Sequence, residues 1–168
     1  LTDVISKNTN YNNKVNERIT AFSGLKSLST RLVNALQTTD ATPETIGNAK
    51  TFNRKMQGKK ASSTQTPTDP NTPAPNTIST SQQSYDQLIQ HLAGLTSILE
   101  AETSYTPNET DLQVATLQTK IADLTAKNTA VATAYASISN SRIARNETLY
   151  SSSTGLVETA NEVKKYIK

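Results

Sequence analysis

The sequence predicts an all-α protein: an elongated antiparallel helical bundle, coiled-coil-like, that ends in one very long C-terminal helix. Two observations carry this prediction. Apolar residues recur at alternating steps of three and four, which keeps their side chains on one seam of a helix. Between Pro107 and Gly155 there is neither proline nor glycine, so nothing in the local chemistry stops a helix there.

The composition indicates a thin core. Leu, Ile, Val and Phe make up about a fifth of the 168 residues, and charged residues make up 18%, below the usual quarter. Ser, Thr, Asn and Gln therefore coat the helices, which favours an extracytoplasmic (secreted, surface or periplasmic) location over the cytoplasm. The net charge of +3 is too small to indicate a class of binding partner. The absence of cysteine excludes disulfides and thiolate chemistry.

The first predicted helix covers residues 3–37, with one apolar face and a single breaker, Gly24. A kink at Gly24 and a frayed start before Tyr11 are the two departures from a straight helix that the sequence leaves open. The second covers 43–58. Thr42 followed by Pro43 is a helix start signal.

Residues 59–77 contain four prolines at short intervals among Ser and Thr, which predicts an extended linker. The third helix is predicted over residues 79–103, and the connection after it is so short that the next helix must run back antiparallel.

The long helix is predicted over residues 107–168, because Thr106, Pro107 and Glu109 together form a capping box. Its seam contains Val114, Leu117, Ile121, Leu124, Asn128, Val131, Tyr135 and Ile138. The alternative is a compact four-helix up-and-down bundle in which the chain breaks near Ser139–Ser141. Either arrangement makes residues 1–168 a single helical domain.

Three polar residues on this seam are the candidate interaction or register positions. Asn128 among apolar seam residues is a known means of fixing register or strand number. Arg142 and Arg145, further along the same seam, either lie where the bundle opens to water or pair with carboxylates of a neighbouring helix, including one from another chain.

Catalytic, cofactor and metal sites are not predicted. His91 is the only histidine, so neither a histidine metal site nor a Ser-His-Asp triad is available within one chain, and we interpret it as a half-exposed residue beside the seam. The sequence has no phosphate-binding glycine loop and no aromatic residues among its basic clusters, which disfavours small-molecule and nucleic-acid ligands. It also lacks a transmembrane stretch.

These observations predict a non-enzymatic structural or protein-interaction subunit, built on a helical bundle and able to assemble with itself. Two alternatives stay open: a surface or periplasmic binding module that presents the Pro-rich segment, and a membrane-active helical protein.

Overall fold

A computed structural model describes residues 2–58 and 83–167, and over these residues the chain is all-α, as predicted, with no strand. The predicted linker at 59–77 lies outside the described residues. The helices are α1 (Thr2–Phe22), α2 (Leu25–Leu36), α3 (Pro43–Gln57), α4 (Tyr85–Ala101), α5 (Val114–Tyr150) and α6 (Leu156–Ile167), with a 3₁₀ turn at Thr110–Leu112 before α5.

The prediction of one helix over 3–37 is wrong, because α1 and α2 are separated at Ser23 and Gly24. Gly24 has a φ of 79°, in the left-handed region, where a residue with a Cβ is strained. The carbonyl of Gly24 then accepts from the N–H of Leu28 at 2.9 Å and opens α2. The expected kink is therefore a complete break between two helices.

The predicted ends of α3 are confirmed to within one residue. The Thr42 hydroxyl accepts from the backbone N–H of Thr45 at 3.2 Å, Pro43 occupies the first turn, and Gly58 ends the helix with a φ of 75°. For α4, the predicted start at residue 79 is wrong over the described positions, since the helix begins at Tyr85. Ser84 caps it by accepting from the N–H of Gln87 at 3.2 Å.

The predicted helix start at Thr106 and Pro107 is wrong, and α5 begins at Val114 instead. Tertiary contacts hold the intervening segment in another conformation. The phenol of Tyr105 donates to the carbonyl oxygen of Leu112 at 3.0 Å, and both side chains are buried. The carboxylate of Glu109, which a capping box would direct at its own helix, instead accepts from Arg31 on α2, as does the carboxylate of Asp111.

The alternative break near Ser139–Ser141 is also wrong, because α5 runs through these residues without interruption. Ser141 does not cap the backbone, since its hydroxyl donates to Asp3 at 2.7 Å. The prediction of a continuous helix to residue 168 is also wrong, because α5 ends at Tyr150. The turn that follows needs glycine at 155, where a Cβ would lie 2.5 Å from the carbonyl oxygen of Ser151.

The chain divides into two compact units, and the single-domain interpretation stays a prediction. Unit 1 comprises residues 1–21 and 126–168, and unit 2 comprises residues 22–125. In unit 2, α3 packs against both α2 and α4. Its buried apolar residues are Leu25, Leu32, Val33, Leu36, Ala49, Met56, Leu92, Leu95, Leu99, Tyr105, Leu112, Leu117 and Leu124.

Candidate interaction surfaces

In unit 1, α1 lies antiparallel to the second half of α5. Asp3, Tyr11 and Arg18 succeed one another along α1, and their partners Ser141, Tyr135 and Asn128 succeed one another backwards along α5. The first and last of these contacts are hydrogen bonds of 2.7 and 2.9 Å, and the two tyrosine rings lie 5.9 Å apart.

Asn128 lies half-buried between these two helices. Its side-chain oxygen accepts from Nη1 of Arg18 at 2.9 Å. A hydrogen bond to a charged donor is stronger than one between neutral groups, and it pairs one position on α1 with one on α5. The role of Asn128 in setting register stays a prediction.

Arg142 and Arg145 reach amide oxygens rather than carboxylates within the described residues. Nη2 of Arg142 donates to the side-chain oxygen of Asn8 at 3.3 Å, and Arg142 is exposed. Nε and Nη2 of Arg145 donate to the side chain of the adjacent Asn146, at 3.2 and 2.9 Å. Both guanidinium groups are therefore held at the surface of unit 1.

The predicted seam is right at Val131 and Ile138, which are buried, and wrong at Tyr135 and Arg142, where the preceding residue is buried instead. Ala134 and Ser141 are buried, whereas Tyr135, which the seam included, is 58% exposed. Ala134 and Ser141 have small side chains, and a sequence pattern built on large apolar residues does not identify such positions as buried.

Apolar side chains are exposed along the second half of α5. Tyr135, Ile143 and Tyr150, here named the α5 strip, are 58%, 54% and 67% exposed. Their spacings of eight and seven residues place them on one side of the helix. Sequence analysis missed this strip, because two of its members are off the predicted seam.

A second apolar surface lies on α6, none of whose residues is buried. Leu156, Ala160, Val163 and Ile167 follow at steps of four, three and four and share one side, here named the α6 face. The side chains of Leu156, Val163 and Ile167 are 63%, 52% and 77% exposed. Soluble proteins rarely leave an entire helix face of this kind uncovered unless it contacts something.

The interpretation of His91 as half-exposed is wrong, since it is only 5% exposed. It lies on α4 with its ring 6.3 Å from that of Phe52 on α3, and its Nε2 is buried without a hydrogen-bond partner among the described residues. Burial lowers the pKa of His91, and the positive charge of Lys55 lowers it further. The neutral ring is thus the form suited to this position.

Comparison with protein-family models, with curated proteins and with solved structures finds no match to this chain. Among the helices of residues 2–58 and 83–167, none is long and apolar enough to cross a membrane.

Proposed function

We propose that this protein is a non-enzymatic interaction subunit that associates with a second copy of itself through unit 1. The observation that carries the proposal is the α6 face, an amphipathic helix surface with no covering partner among the described residues. The α5 strip on the same unit adds to it.

The small core of unit 1 favours a second copy of the chain as the partner. Where α1 and α5 meet, the buried side chains of this unit are Val131, Ala134, Ile138 and Ser141. A contact between two helices buries only one narrow seam, and further helices are needed to cover apolar surface on their other sides. A twofold-symmetric contact supplies these helices from an identical unit.

The polar side of α6 favours a protein partner over an anionic membrane. Glu158 and Glu162 lie among its polar residues together with Lys164 and Lys165. A helix that binds anionic lipid needs a uniformly basic polar face, because acidic groups are repelled by the headgroups.

The test is sedimentation velocity of two variants that carry the same substitution on the same helix. Val163→Ser removes an apolar side chain from the α6 face, whereas Val157→Ser removes a comparably exposed one, at 44%, from another side of α6. We expect Val163→Ser to shift the self-association midpoint to at least about fivefold higher concentration, since it loses roughly 1 kcal/mol of apolar burial. Val157→Ser should behave as the wild type. An equal effect of the two substitutions would contradict the proposal.

A further inference from the structure

Unit 2 contains an open cleft of about 300 Å³ that the proposed association does not use. The chain just after α2 and the chain just after α4 form its two sides. Thr38, Thr39 and Asp40 line the first side, and Ser104, Tyr105 and Thr106 line the second.

Three hydroxyl groups, two on the first side and one on the second, donate their protons within the chain. Oγ1 of Thr38 donates to the carbonyl of Ala35 at 2.8 Å, and Oγ1 of Thr39 donates to that of Leu36 at 2.7 Å. Oγ of Ser104 donates to Glu102 at 2.7 Å. Because a hydroxyl has one proton and two lone pairs, these three groups can only accept a hydrogen bond from a ligand in the cleft, and Oγ1 of Thr39 already accepts one from the N–H of Ala41 at 3.3 Å.

Two features of the chain make the electrostatic potential at the cleft negative. The C-terminal ends of α2, at Leu36, and of α4, at Ala101, both come just before the lining residues, and a helix C-terminus carries about half a negative charge. The carboxylate of Asp40 adds a full charge.

Basic side chains do not offset this field from within the cleft, since none of its described lining residues is Lys or Arg. On α2, Arg31 is engaged with Asp111 and Glu109.

From this arrangement we infer that the cleft binds an organic cation, a primary ammonium or guanidinium group, through acceptor oxygens on both sides. Such groups carry several donors and no acceptor, which is the complement of the lining. A divalent metal ion fits poorly, because Ca²⁺ takes six to eight oxygens at close range and the cleft offers one carboxylate in a volume suited to a side chain. The cation comes either from a Lys or Arg side chain of a protein or from a free polyamine.

The experiment follows the backbone amide signals of the ¹⁵N-labelled full chain by NMR at constant ionic strength. N-acetyl-arginine amide, N-acetyl-lysine amide and spermidine are added separately. N-acetyl-citrulline amide, which has the shape of the arginine derivative without its charge, is the control ligand, and NaCl controls for inorganic cations. We expect saturable shifts at residues 38–40 and 104–106 with the cationic ligands alone.

Three variants make the result specific. Asp40→Asn should weaken binding about three- to fivefold, as for an exposed ion pair. Asp40→Lys should abolish it, because its own ammonium group takes the place of the ligand. Asp86→Asn, at the opposite end of α4, should leave binding unchanged, and circular dichroism checks that each variant is folded.

Stronger binding of the capped amino acids assigns the cleft to a protein side chain, and stronger binding of spermidine assigns it to a polyamine. Equal shifts with citrulline or NaCl, or undiminished binding by folded Asp40→Lys, would overturn the inference. The outcome is independent of self-association through unit 1.

Discussion

Two glycines in helix interiors differ in what surrounds them. Gly94 on α4 lies so close to Phe52 on α3 that an added Cβ would come within 2.5 Å of the ring, whereas a Cβ on Gly47 would meet nothing within 4 Å. Gly94 is therefore a packing requirement of the α3–α4 contact, and Gly47 is not.

Replacing Gly94 with alanine should lower the free energy of unfolding, whereas replacing Gly47 with alanine should raise it. Gly94→Ala forces Phe52 to move and should cost about 1–2 kcal/mol, since overpacking exceeds the gain in helix propensity. Gly47→Ala should stabilise by roughly 0.5–1 kcal/mol through propensity alone. Urea unfolding of the two variants measures both effects, and a loss of stability in Gly47→Ala would contradict this description of α3.

His91 predicts a pH dependence at mildly acidic pH. Its pKa in the folded chain is lowered from 6.5, so below that pH the unfolded chain binds the proton more readily than the folded one. The contribution of His91 to the free energy of unfolding should be constant above this range and fall as the pH drops through 6.5 towards the folded pKa.

Urea unfolding at pH 7.5, 6.0 and 5.0 measures this fall, and His91→Gln should remove it. The lowered pKa values of Glu102 and Asp111 affect stability at more acidic pH, so they do not mimic the effect. An identical fall in His91→Gln would show that another group is responsible.

Whether a residue's position could be predicted depended on how local its interactions are. Thr42 begins α3 and Gly58 ends it, each through hydrogen bonds with backbone groups three or four residues away. Sequence spacing is sufficient to predict such local contacts. His91 is buried because α3 packs over it, and the residues beside His91 in the sequence carry no sign of that contact.

At the scale of the helices, the break between α1 and α2 depends on Gly24. Alanine in its left-handed conformation costs about 1–2 kcal/mol, so Gly24→Ala should destabilise the chain by that amount or join the two helices into one. Urea unfolding together with helical circular dichroism distinguishes these results. If Gly24→Ala showed no loss of stability and no gain in helicity, that result would contradict the role assigned to Gly24.

The two ends of the long helix were mispredicted for separate physical reasons. Its predicted start used Glu109 as the acidic residue of a capping box, but that carboxylate binds Arg31, about 80 positions earlier in the sequence, and α5 begins at Val114. Its end moved to Tyr150 because the turn before Gly155 brings backbone atoms together, an approach that an isolated glycine in the sequence only hints at. Long-range contacts and tight turns are both poorly encoded by apolar periodicity.

At the scale of the whole molecule, the two units differ in how much of their apolar surface is buried. Unit 2 buries most of the leucines, while unit 1 leaves Ile143, Tyr150 and the α6 face exposed. The all-α class followed from periodicity in the sequence. The exposed surfaces did not, because the same spacing describes a helix whose face is covered and one whose face is free.

Self-association through unit 1 is the central claim, and multi-angle light scattering with size exclusion over a range of concentrations tests it most directly. The full chain has a mass of 18.2 kDa. We predict a mass that rises with concentration to twice this value, with the rise displaced to higher concentration in Val163→Ser. A mass that stays at 18.2 kDa at every concentration would contradict the claim.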